Sequence, residues 1–185
     1  MEATQILIEE HRVIERVLDA LELAAQKVEE DGEVGPEYFL EAAQFIRGFA
    51  DGCHHQKEEK ILFTEMAKHG VPVEGGPIGV MLSEHEQGRE AIRSMIAFAE
   101  RWTDGEVDAR LKVVECARNY VDLLRQHIYK ENNILFPFAE RAIPAAEQPQ
   151  LAERFNQLEH EETGEGIHEK YLAIADRLYR AVALP

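Results

Sequence analysis

Apolar residues recur every three to four positions along most of the chain, the spacing that gathers them on one face of a helix. The first such segment runs from about Thr4 to Glu30, with Leu7, His11, Ile14, Leu18, Leu21 and Ala25 in its stripe. Asp31-Gly32 and Gly35-Pro36 interrupt it, and Pro36 suits the first turn of a second helix. That helix carries Phe39, Phe45, Ile46, Phe49, Ile61, Leu62 and Phe63 toward Gly70. The stretch GVPVEGGPIG (70–79), with four Gly and two Pro, reads as a loop. A third helix presents Ile78, Leu82, His85, Ile92, Ile96 and Ala99 before Thr103-Asp104-Gly105 ends it. A fourth, from about Glu106 to Arg141, presents Val113, Tyr120, Leu124, His127, Leu135 and Phe138, with Pro137 loosening its last turn. After a linker at 144–149, one further helix over about 150–182 carries Phe155, Leu158, Leu172, Ala175, Leu178 and Val182. No segment alternates with the two-residue period of a strand. The pattern predicts an all-α chain: an antiparallel up-down-up-down four-helix bundle over 1–142, with a linker and an additional C-terminal helix packed on it over 143–185.

The two halves of the bundle share a design. HHQKEEKILF (54–63) and HIYKENNILF (127–136) agree at six of ten positions with an offset of 73 residues, and Glu10-His11 matches Glu84-His85 with an offset of 74. Each half therefore has a helix with one His, followed by a helix with His-x-x-x-Glu and an Ile-Leu-Phe run. A duplicated helical hairpin packed on itself accounts for this repeat.

The repeat carries chemistry. Residues i and i+4 share a helix face, so His54 projects with Glu58 and His127 with Glu131, while His11 and His85 lie within apolar stripes. All six side chains point into the core, where two facing carboxylates repel and a lone buried charge costs several kcal/mol. A single His on an apolar face is commonly a hydrogen-bonded core residue, and a single His-Glu pair is common on surfaces. Four His and two Glu in matched register are better explained by two adjacent metal ions. The carboxylates would bridge and two imidazoles would cap each ion. Imidazole suits iron, copper, zinc and nickel, whereas calcium and magnesium prefer oxygen. His55 and Glu59 are an equally spaced pair, but the repeat sets them opposite Ile128 and Asn132, so they are expected behind the ligands or at the surface.

Composition narrows the function. With 36 Asp+Glu against 20 Lys+Arg in 185 residues, the net charge is −16, which disfavours nucleic acid and anionic membranes as partners. No apolar run is long enough to span a membrane. Cys53 and Cys116 make neither a disulfide framework nor a Cys-based metal motif, and the chain's first residues do not read as a signal peptide, so a reducing cytoplasm is expected.

The arrangement resembles the hemerythrin-like family, the HHE cation-binding domains, over roughly residues 3–142. The resemblance rests on EEH (9–11), CHHQKEEKILF (53–63), GGPIGVMLSEHEQGR (75–89) and RQHIYKENNILFP (125–137). Thr64 departs from it, standing where the family often has Pro. It implies an oxo- or hydroxo-bridged pair of iron ions held by His11, His54, Glu58, His85, His127 and Glu131. That set matches the bacterial branch, with four His and two Glu, rather than the five-His oxygen carriers of invertebrates. The implied ligands are O2, NO or peroxide, bound or turned over. Alternatives are iron-centre repair and a bundle that metal merely stabilises. The chain is expected as a monomer or homodimer. Further candidates are Glu161, Glu165 and His168 as a ligand or gate from the last helix, with Gly164 and Gly166 a potential break there. Arg89 is expected as a solvated charge, with pairing to a carboxylate near the site as the alternative, and Tyr120 as a core aromatic, with a hydrogen bond to the site as the alternative; Tyr129 is expected to face outward, His69 to be a helix-end cation and Cys53 to be packing.

Overall fold

The computed structural model describes the backbone of residues 3–30, 32–163 and 167–183, and their side chains outside 162–168. Six helices form among them. They are α1 (Ala3–Glu29), α2 (36–68), α3 (Pro77–Thr103), α4 (109–142), α5 (Gln148–Thr163) and α6 (Ile167–Ala183). Helices α2 and α3 start at prolines preceded by extended Gly35 and Gly76. Both end where a glycine turns left-handed, Gly70 at φ +86° and Gly105 at φ +96°. The Val71 and Glu106 amides there donate back to Met66 O and Arg101 O at 3.0 Å each, satisfying carbonyls the last turn leaves open. Helix α4 begins at Ala109, three residues later than the sequence pattern suggests, because that turn occupies 104–108.

The region expected as a single helix over 150–182 is two described helices, α5 and α6. Residues 164–166 and the side chains of Glu165 and His168, two of the expected ligand candidates, lie outside the described residues. Glu161 is exposed. In the bundle, α1 packs on α4, α4 on α3 and α3 on α2. Helices α5 and α6 both lie against α1 and α2, covering the fourth seam.

The core divides into two apolar clusters. One holds Ile14, Leu18, Phe49, Ile92, Tyr120 and Leu124, and the other Leu7, Leu62, Met81, Leu135, Phe136 and Phe155. Between them, on each of α1 to α4, sits the His/Glu layer. Apolar side chains thus flank that layer on both sides, and it is the layer that the apolar stripes position.

Candidate metal centre

His11, His54, Glu58, His85, His127 and Glu131 converge in this layer, each no more than 2% exposed. Two overlapping groups form. In one, ligand atoms of His55, Glu58, His85 and His127 lie within 4.8 Å of one another; in the other, those of His11, His54, Glu58 and Glu131 do. Glu58 turns Oε1 toward His54 Nε2 (3.6 Å) and Oε2 toward His85 Nε2 (3.4 Å). Glu131 turns Oε2 toward His11 Nε2 (3.2 Å) and Oε1 toward His127 Nε2 (3.1 Å). Each carboxylate thus divides its two oxygens between the groups.

His55 is the main departure from the sequence-based expectation. It is 5% exposed, and its ring stacks on His85 at a centroid distance of 3.8 Å. The backbone explains why. Helix α2 is wound with i→i+5 turns over Ile46–His55 and again over Glu58–Leu62. A wider turn leaves a smaller angle between neighbours, so adjacent His54 and His55 both reach the interior, one toward each group. Helix α4 widens at the matching place, Glu131–Leu135.

Every one of these imidazoles is held from behind. Nδ1 of His11 meets Asn132 Oδ1 at 2.8 Å, that of His54 meets Glu10 Oε2 at 2.9 Å, and that of His55 meets Asp51 Oδ1 at 3.4 Å. Nδ1 of His85 meets Glu59 Oε1 at 2.7 Å, and that of His127 meets Glu84 Oε2 at 2.9 Å. An oxygen acceptor of this kind assigns the proton to Nδ1 and leaves Nε2 as a lone-pair donor facing inward, the arrangement typical of metal-bound histidine. Buried without hydrogen bonds are Nε2 of His11 and His54 and all four oxygens of Glu58 and Glu131. His85 Nε2 and His127 Nε2 face each other at 3.1 Å. Two imidazole nitrogens set against one another, beside buried carboxylates left without hydrogen bonds, are satisfied by cations; the donor set fits a metal pair.

The supporting carboxylates are themselves pinned. Lys57, 1% exposed, bonds Glu10 and Glu159 of α5, and Lys130 bonds Glu84. Arg89, expected as a solvated charge, instead joins Asp51 (2.7 Å), Glu59 (2.7 Å) and Glu86 (2.5 Å). Burial opposes charge at Glu131, yet His127 and His11 hold it well below the ordinary carboxylate range. Burial likewise opposes charge at His127, but Glu131 and Glu84 push it up to about 10. At His55, burial and then the neighbouring imidazoles act together and keep the ring neutral. Burial pushes the Cys53 thiol up to about 12, so it stays protonated, in keeping with a packing role. Tyr129 faces outward, and His69 meets Glu147 at 3.0 Å near the end of α2.

The family model for the hemerythrin HHE cation-binding domain matches residues 2–139. The chain belongs to that family. This hemerythrin-like protein is 25% identical over 163 residues to an uncharacterized protein of Mycobacterium tuberculosis, covering 88% of this chain and 63% of that one. It is 34% identical over 91 residues to the iron-sulfur cluster repair protein YtfE of Dickeya chrysanthemi, covering 48% and 41% of the two. To the same-named protein of Salmonella newport it is 38% identical over 89 residues, covering 46% and 40%. The chain thus spans less than two thirds of these relatives' lengths. No solved structure matches it.

Sequence alone assigned no role to Glu10, Glu84, Lys57 and Lys130; the signal that could have found them is the hemerythrin-like repeat, where the Glu-His pairs recur at an offset of 74 and the lysines at 73. What the repeat did not disclose is that each glutamate serves the histidine of the following helix rather than its own neighbour.

Proposed function

We propose that the buried layer holds two adjacent iron ions and that the protein uses them to bind or reduce a small oxidant such as O2, NO or peroxide. One ion would take His55, His85 and His127, the other His11 and His54, and Glu58 and Glu131 would each give one oxygen to either ion. The observation that carries this reading is the set of five imidazoles, each with Nδ1 fixed by an outer oxygen acceptor, around two carboxylates without hydrogen-bond donors. Imidazole and carboxylate together suit iron, and a redox-active pair supplies reversible binding or electron transfer to a small ligand. Around His11, Phe136 stacks at 5.5 Å, while buried Leu7, Leu62 and Leu135 restrict water.

A second reading, iron-centre repair, is favoured by the similarity to the repair proteins, of which the chain spans only 40–41%. The test is metal analysis with an optical spectrum after expression in iron-replete medium. Two irons per chain are expected, and zinc alone or a single ion refutes the proposal. His55→Ala should lower the metal count or loosen one ion, whereas Ile128→Ala at the matching repeat position should change neither. Mixing the reduced protein with O2 separates a binder, whose new spectrum persists, from a redox enzyme, which returns to the oxidised spectrum while consuming the oxidant. Restoration of a damaged iron–sulfur protein by the iron-loaded chain, without such turnover, would favour repair.

A further inference from the structure

A cavity of about 360 Å³ opens between α2 and α3 over the flank of α4. It runs from His55, His85 and His127 along the bundle to Ile96, about three turns from His85 at roughly 3.6 residues per turn. Ile46, Ile92, Ile96 and Leu124 give it apolar walls. Its size and lining are those of a small-molecule site.

Two carboxylates of the lining are already engaged, Asp51 by Arg89 and Glu84 by His127 and Lys130, and two further arginines stand apart. Among the 13 arginines, Arg47 and Arg93 alone have no hydrogen bond, ion pair or ring contact among the described residues. Both are exposed, and both line this one cavity, Arg47 from α2 and Arg93 from α3. In a protein of net charge −16, carboxylates to pair with them are abundant, and the other arginines find partners. A third polar group adds to the pair. Tyr120, 1% exposed, lines the cavity and its hydroxyl has no hydrogen bond among the described residues. Burial, together with Asp51, pushes this phenol above its ordinary range, so it remains a donor.

We propose that the cavity binds an organic monoanion with an apolar body, such as a medium-chain carboxylate. Arg47 and Arg93 would meet the carboxylate at the mouth, the Tyr120 hydroxyl would donate from within, and the isoleucine walls would take the apolar body. Guanidinium forks match a carboxylate in shape and charge. The acidic remainder of the surface repels polyanions, so the site selects a single charge carried on an apolar body. The site is separate from the proposed ion positions, although its inner end abuts His55 and His85.

The test is isothermal titration calorimetry of the full chain as purified, with octanoate, octanol and inorganic phosphate as probes. Octanoate should bind at a single saturable site, octanol about tenfold more weakly or worse, and phosphate without saturation. Arg47→Gln combined with Arg93→Gln should weaken octanoate about tenfold, and Tyr120→Phe about threefold to tenfold. Circular dichroism checks that the variants fold, and the wild-type probe series decides the matter without them. Absence of octanoate binding, equal affinity for octanol, or unchanged binding by the double variant overturns the proposal. Binding that shifts the optical spectrum and ignores both arginines would mean direct coordination to the metal, and also overturns it. Because the readout is heat rather than redox activity, failure here leaves the metal proposal standing, and failure of the metal proposal leaves octanoate binding as the deciding result.

Discussion

Lys57 and Lys130 occupy matching positions of the repeat, yet their removal should have very different consequences. Lys57 is 1% exposed and lies under α5, bonding Glu10, whose side chain is 5% exposed, and Glu159. Lys130 is 33% exposed and bonds Glu84 at 13% exposure. Lys57→Met keeps most of the apolar stem but leaves Glu10 buried with only His54 to meet its charge. Breaking a buried ion pair on one side typically costs about 3–5 kcal/mol, because a charge stays behind without solvent. Lys130→Met leaves Glu84 near water, where an exposed pair is worth about 0–1 kcal/mol. For a chain of this size about 1 kcal/mol moves the melting temperature by about 2–4 °C, so a difference of about 2–5 kcal/mol should separate the two variants by roughly 4–20 °C. Equilibrium urea unfolding at fixed metal loading measures both. Lys57→Met combined with Glu10→Gln should recover part of the loss, because the stranded charge is gone; the coupling should be about 1–3 kcal/mol. Equal costs for Lys57→Met and Lys130→Met would refute the claim that α5 buries one of these pairs and leaves the other wet.

Other consequences are as open to measurement. In the metal-stripped protein, His127 rises from its ordinary 6.5 to about 10 while Glu131 falls well below its ordinary 4.5. The stabilisation from His127 is therefore complete below 6.5 and lost as pH rises toward 10, and that from Glu131 is present above 4.5 and lost on acidification. Thermal midpoints of stripped protein should peak between these limits; a midpoint still climbing from neutral pH into alkali contradicts the pairing. Two helical glycines should respond in opposite directions to alanine. A Cβ on Gly48 would lie 1.7 Å from the Tyr171 hydroxyl, so Gly48→Ala must displace that ring and should cost about 1–3 kcal/mol. At Gly88 the nearest atoms are 3.6 Å away, so Gly88→Ala should be neutral or gain up to about 1 kcal/mol from helix propensity. Urea midpoints in the reverse order would show the packing of α6 on α2 to be wrong. Glu59→Gln keeps an acceptor for His85 but drops a charge from the Arg89 cluster; it should retain metal better than Glu59→Leu, and equal metal counts would argue that Glu59 does not hold His85.

Much of this architecture is set by local periodicity. Stripes at three- and four-residue spacing define the helices of the bundle, and Gly and Pro mark their ends, because these effects act within one turn of chain. The same spacing brings Glu58 onto the face of His54 and Glu131 onto that of His127, and the repeat pairs the two sets. His55 escaped because, at the ordinary helical step of about 100°, the neighbour of an inward residue points away. Only the widened turns of α2, stabilised by packing on α3 and the two last helices, bring His54 and His55 inward together. The pairing of Glu10 with His54 spans 44 residues, and that of Lys57 with Glu159 spans 102; sequence spacing carries no information about which helices dock side by side. The chain by itself thus determined its helices and the chemistry of its core, because both follow from residue type and period. Tertiary packing decided how many histidines face that core, which carboxylates hold them, and that Arg47 and Arg93 line one cleft from two helices, because those depend on distances between elements that only folding sets.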